Sequence, residues 1–108
     1  MTYREARVLF SKLIAQQLLA MNEGEYTAAF DEGMDRITVK DPTSDHSPKG
    51  FHPLGLACDI NLYWNGKYMD KTEAHSFFGE MWEKRHKLCR WGGRWEDGNH
   101  YELNWRNK

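Results

Sequence analysis

Apolar residues recur at helical spacing from the start of the chain. Ala6, Leu9, Phe10, Leu13, Ile14, Leu18 and Met21 fall on one face of a 3.6-residue repeat. Thr2 and Glu5 have the spacing of a capping box, and Gly24 marks a stop. The pattern predicts a helix from about Tyr3 to Asn22, packed on the domain's own sheet. "YTAAF" (Tyr26 to Phe30) predicts a short strand, and the Pro-, Ser- and Asp-rich stretch Asp41 to Lys49 a loop at the mouth of a site. From Ala57 the period changes to two. Ala57, Asp59, Asn61 and Tyr63 face one way, and Cys58, Ile60, Leu62 and Trp64 form a core face. Asn65-Gly66 predicts a tight turn, with "KYM" beginning the returning strand. A second helical period runs from about Thr72 to Leu88, with Ala74, Phe77, Phe78, Met81, Trp82 and Leu88 on its buried stripe. His75 and His86 fall at solvent-facing or helix-end positions of that helix. "WGGRW" reads as a loop, and "HYELNW" alternates again: His100, Glu102 and Asn104 on one face, Tyr101, Leu103 and Trp105 on the other.

This order of elements predicts an α+β fold, a small antiparallel sheet with helices packed on one side. Residues 1–108 are expected to form one domain. With 40 % apolar and 14 % aromatic residues the chain can build a core, which excludes a disordered protein. A domain of this size is only modestly stable, and a bound metal would add to its stability.

The net charge of -1 gives no global field for nucleic acid, so no nucleic-acid partner is expected. Charge is nevertheless uneven, acidic from Glu23 to Asp45 and basic from Lys84 to Arg94. The basic stretch reads as a solvated helix face or, alternatively, as a patch for an anionic cell wall. Cys58 and Cys89 form no Cys-x-x-Cys pair, which argues against a zinc ribbon or thioredoxin-like motif and leaves reduced thiols as the expectation. The first residues lack an apolar signal core, and no stretch has the length of a membrane span. Synthesis in the cytoplasm, no stable membrane insertion and a monomer are expected.

Two short segments carry the candidate chemistry. "KGFHPLGLACDIN" places His52 and Asp59 around the start of the central strand, and "EDGNHYE" places His100 at the start of the last. On spacing alone, His52 and Asp59 could be a buried pair that satisfies itself. With His100 they could instead be the three protein ligands of a catalytic zinc, although other divalent ions suit the same set. Zinc acidifies water near neutral pH, and a neighbouring carboxylate then serves as general base. Asp97, three residues before His100 with Gly98 between them, is the candidate base; Glu96 is a weaker one. Glu102, on the same strand face as His100, is placed to orient the imidazole.

Together the two segments resemble the zinc D,D-carboxypeptidase and L-alanyl-D-glutamate peptidase family. That family includes D-alanyl-D-alanine dipeptidases and many phage endolysins, and shares its fold with the hedgehog signalling domain. Its pattern is Ser-x-His-x-x-Gly-x-Ala-x-Asp, then an acidic residue three before a His that an aromatic residue follows. His52, Gly55, Ala57 and Asp59 fit the first block; Asp97, His100, Tyr101 and Glu102 fit the second. Trp91, Gly92 and Gly93 are similar to the endolysin-type branch. The resemblance implies a zinc cofactor on His52, Asp59 and His100, with Asp97 as the acid/base.

It further implies a peptidase of bacterial peptidoglycan stem peptides, of L-alanyl-D-glutamate endopeptidase or D-alanyl-D-alanine carboxypeptidase type. A phage or prophage endolysin, made in the cytoplasm and acting on the cell wall after release, is the expected setting. Two departures bear on substrate. Gly50 stands where the family keeps a serine, with Ser47 and Lys49 nearby but out of register. The family arginine that holds a substrate carboxylate has its counterpart in Arg36 of "DEGMDR", one residue out of register from Glu32. Two rivals remain: a non-catalytic zinc-containing cell-wall-binding module of the same fold, against which Asp97 argues, and a metal-dependent nuclease, against which the near-neutral charge argues.

Overall fold

The computed structural model describes residues 1–31 and 50–107. Among them are two α-helices, α1 (Tyr3–Ala20) and α2 (Ser76–Arg85), and five strands. The strands are β1 (Tyr26–Phe30), β2 (Ala57–Trp64), β3 (Lys67–Tyr68), β4 (Cys89–Trp91) and β5 (His100–Leu103). The sheet runs β1-β2-β5-β4 with β3 beside β2, and every pairing is antiparallel. This is the expected α+β fold.

The helix ends follow from local chemistry. Thr2 accepts from the Glu5 backbone N–H while Glu5 accepts from that of Thr2, so both halves of the capping box form. Asn65 and Gly66 both have positive φ, 50° and 79°, as a two-residue hairpin turn requires. The turn sets Trp64 opposite Lys67.

The core lies on one face of the sheet. Cys58, Ile60 and Leu62 of β2 and Tyr101 and Leu103 of β5 meet Ala6, Phe10, Leu13 and Ile14 of α1 and Phe78 and Trp82 of α2. Trp82 stands edge-on to both Phe10 and Tyr101 at about 6 Å, which joins both helices to the sheet. Sequence periodicity missed Gln17, which is fully buried. Its amide donates to the Phe78 carbonyl at 2.8 Å and accepts from Arg85 Nε at 2.8 Å, so a polar side chain bonds α1 to α2.

Several expectations need correction. Trp64 is 45 % exposed, because β2 runs past the core into the turn. Phe77 is exposed, because residues adjacent on a helix point about 100° apart and Phe78, in register with Trp82, takes the core position. The second helix is shorter than its periodicity suggests, with a 3-10 turn over Thr72–His75 and then α2. His75 stands at a helix end, one of the two placements expected, but is buried there and not solvent-facing; its Nε2 bonds the Met69 carbonyl at 2.9 Å. "WGGRW" is not all loop, since Trp91 ends β4 and is buried. Its ring packs where side chains on Gly79 and Gly93 would otherwise lie.

The arginines of the basic stretch are paired, while Lys84 and Lys87 are exposed. Arg85 bonds Gln17, Arg90 bonds Glu102 and Arg94 bonds Glu83. Cys58 and Cys89 are both buried and unbridged, and burial pushes the Cys89 thiol up to about 12. No helix among the described residues is long and apolar enough to cross a membrane. The predicted loop at Asp41–Lys49, together with Arg36, Ser47 and Lys49, lies outside the described residues.

Candidate metal centre

The face of the sheet opposite the helices carries the chemistry. In the β2–β5 ladder, Asp59 lies directly across from His100 and Ala57 from Glu102. Residues that face each other in an antiparallel pair share a side of the sheet, so register alone brings the Asp59 carboxylate to the His100 imidazole. His52 arrives from the segment just before β2. There Gly55 N–H donates to the His52 carbonyl and Leu56 N–H to that of Phe51, both at 2.9 Å. Gly55 closes this turn at φ +70°, a conformation that favours glycine.

Three potential ligand atoms converge. His52 Nε2 lies 3.1 Å from His100 Nδ1 and 3.4 Å from Asp59 Oδ1, and His100 Nδ1 is 3.5 Å from the same oxygen. All three residues are buried. Asp59 Oδ1 is buried, and its contacts to the two imidazoles are, at 3.4 and 3.5 Å, longer than ordinary hydrogen bonds. An orphaned carboxylate oxygen between two ring nitrogens is costly unless something else occupies their common focus. Ligands about 2.0–2.1 Å from a tetrahedral ion are separated by roughly 3.3 Å, so the spacing fits a zinc-sized divalent cation.

Glu102 fixes which nitrogen of His100 faces that focus. Its Oε1 lies 2.6 Å from His100 Nε2, while its Oε2 accepts from Arg90 Nε at 2.9 Å and from Nη2 at 2.6 Å. A donor is therefore required at Nε2, and in the neutral ring Nδ1 carries the lone pair toward His52 and Asp59. The orienting role expected of Glu102 is matched by this geometry; the part of Arg90 was missed, although "CRW" and "YEL" both alternate and could have suggested a cross-strand pair. Glu102→Gln keeps the shape but weakens acceptance at Nε2. It is expected to lower zinc affinity by about 10- to 100-fold in chelator competition; an unchanged affinity would remove Glu102 from the site.

Asp97 sits at the rim. Its N–H donates to the Gly92 carbonyl at 2.9 Å, and the His100 N–H donates to the Asp97 carbonyl at 3.1 Å. This turn sets Asp97 Oδ2 at 3.8 Å from His100 Nδ1, with the side chain about half exposed. Partial burial, with Asp59's charge adding, raises the Asp97 carboxyl above its usual range although His100 and His52 pull it down. Glu96 is exposed in a left-handed conformation at φ +63°. Trp95, also unassigned by the sequence, lays its ring 5.5 Å edge-on to His100. Gly92 lies so close to His100 that a Cβ there would sit 2.6 Å from the His100 Cβ.

The metal-free cluster has its own titration. Burial opposes a charged His100, but Asp59 and Glu102 outweigh it and push His100 up to about 9. Burial likewise raises Asp59, yet the two imidazoles outweigh it and hold it at about 2. The folded chain thus holds the His100 proton more tightly than the unfolded chain, where histidine titrates near 6.5. That stabilisation is complete below 6.5 and is lost as pH rises through 9. The Asp59 contribution is present above 3.8 and lost as pH falls through 2. In chelator, the unfolding free energy from urea titration is therefore expected to fall between pH 6.5 and 9, with a slope of up to about 1.4 kcal/mol per pH unit. A flat profile over that window would refute the assignment.

A buried two-imidazole, one-carboxylate cluster with a carboxylate at its rim could hold a metal ion, and the family to which the chain is similar gives the class. Residues 43–103, more than half of the chain, match the D-alanyl-D-alanine carboxypeptidase family. The chain belongs to that family and is a carboxypeptidase-type peptidase that acts on peptidoglycan. No curated protein and no solved structure matches it.

Proposed function

We propose that the protein is a zinc peptidase of peptidoglycan stem peptides, with the ion held by His52 Nε2, Asp59 and His100 Nδ1. The convergence of these three ligand atoms, one of them a buried oxygen without an ordinary hydrogen bond, carries the reading. A bound zinc ion supplies Lewis acidity to the scissile carbonyl and to the attacking water. Asp97, 3.8 Å from the His100 nitrogen, takes one proton of that water as its oxygen joins the carbonyl carbon. When the C–N bond breaks, Asp97 returns the proton to the departing amine, leaving a carboxylate and a free amine. Glu102, braced by Arg90, keeps the His100 ring from turning. Arg36 is proposed to hold a substrate carboxylate by paired hydrogen bonds. The Gly50 backbone, in place of the family serine, is proposed to change substrate contact at the rim.

The setting we favour is a phage or prophage endolysin, made in the cytoplasm and working as a monomer on the released cell wall. Neither nucleic acid nor membrane is a proposed partner. The rival is a cell-wall-binding module that keeps zinc without hydrolysis; the partly buried Asp97 beside the donor cluster weighs against it, since binding alone needs no base.

Digestion of purified peptidoglycan by the zinc-loaded protein, followed by mass analysis, tests this. Loss of a terminal alanine identifies the carboxypeptidase, and new fragments beginning at glutamate identify the endopeptidase. Intact peptidoglycan that retains bound protein would favour the binding module and overturn the proposal.

A further inference from the structure

The segment that delivers His52 is gripped from outside. Tyr3 and Arg7 are one turn apart on α1 and share a face of the helix. The Tyr3 hydroxyl donates to the Leu54 carbonyl at 2.5 Å, and Arg7 Nη1 donates to the Gly55 carbonyl at 2.6 Å. These are consecutive carbonyls, two and three residues after the ligand imidazole. Gly55 makes the grip possible a second time, because a Cβ there would lie 2.0 Å from Arg7 Nη1. The same residue donates its N–H to the His52 carbonyl, so the held peptide bonds directly to the backbone of His52.

The gripping residues are themselves braced. The capping box fixes the first turn of α1, and the Tyr3 ring packs on Trp105 at 5.6 Å. Trp105 Nε1 in turn donates to the Met1 carbonyl at 3.0 Å. The start of the helix is thus tied to the chain just beyond β5, the strand that carries His100. Both gripping residues precede residue 43, where the family match begins.

From this geometry we infer that Tyr3 and Arg7 are positioning residues for the metal centre, holding His52 in register with Asp59 and His100 and thereby setting metal affinity. The inference rests on the proposed ligand set. Asp59 and His100 are placed by the sheet, but His52 comes from a turn outside it. Its alignment with the other two depends on what holds that turn, and ordering it in advance lowers the entropic cost of binding. Coupling is reciprocal, so an ion on His52 must also steady the first turns of α1.

Zinc dissociation constants by chelator competition test it, alongside urea unfolding of the metal-free proteins. Tyr3→Phe with Arg7→Met removes both donors and keeps the ring and the aliphatic stem. The pair is expected to weaken zinc binding by about tenfold, each single change by less, and Arg7→Lys to recover part of the loss. Lys12→Met, on the same helix, is expected to bind as wild type. Hydrogen exchange at the amides of α1 should slow when zinc is added to wild type and slow less in the double variant. A purely structural role would lower the urea midpoint without changing the affinity of the folded protein or coupling zinc to that exchange. Wild-type affinity in the double variant would overturn the inference, and should that variant not fold, wild-type affinity in both single variants does the same. Absence of zinc binding by wild type, or undiminished binding by His52→Ala, would overturn the ligand set and the inference with it.

Discussion

Asp97→Asn is expected to keep its zinc and to lose about 10²- to 10⁴-fold in peptidoglycan hydrolysis, the usual contribution of a positioned general base. The substitution preserves shape. The turn that presents residue 97 is held by backbone bonds, from its own N–H to Gly92 and from the His100 N–H to its carbonyl, and neither uses the side chain. An amide cannot take up the proton of the attacking water. It also removes a charge that is 3.8 Å from His100 Nδ1 without displacing any of the three converging donors. Zinc per chain and the initial rate of fragment release, measured on one preparation, separate the two roles. Undiminished hydrolysis would dismiss Asp97 as the base, and loss of zinc would make it a ligand.

His52→Ala is expected to abolish stoichiometric zinc, where wild type should carry about one ion per chain. The consequence for stability is larger than the side chain alone suggests. Zinc at 100 times its dissociation constant should stabilise wild type by about 2.7 kcal/mol, since it binds the folded chain. The variant should show almost none of that gain, because the two remaining donors do not hold an ion in competition with a chelator. Its metal-free stability should change less, as the backbone bonds of the His52 turn run through residues 51 to 56 and not through the imidazole. Urea unfolding with and without zinc decides the matter. A midpoint that rises equally in both proteins would exclude His52 as a ligand.

Much of the site could be read from the chain because strand alternation is a local property. Asp59 and His100 fall on the polar phase of their strands, and the structure puts them on one face, directly opposite each other. The capping box, the Asn65-Gly66 turn and β1 were legible for the same reason: each depends on neighbours a few residues apart. What could not be read depends on partners far along the chain. Gln17 looks like a helix-surface residue until Phe78 and Arg85 claim it. His75 looks exposed until the Met69 carbonyl meets it. Trp91 looks like part of a glycine-rich loop because two glycines follow it, yet Gly93 clears space for its ring and Gly92 for the Asp97 carbonyl and His100. The brace of Arg90 on Glu102 spans two strands, only one of which the pattern revealed.

The pairing of Asp59 with His100 ties the donor set to the alignment of two strands. A slip of one residue between β2 and β5 would turn every side chain of one strand to the other side of the sheet. Cys58 or Ile60 would then occupy the place of the carboxylate, and the donor set would be broken. An ion that binds only the correct alignment lowers its free energy relative to every slipped one by mass action. The cation would thus act as a proofreader of strand alignment in a chain of 108 residues, before it takes part in any hydrolysis.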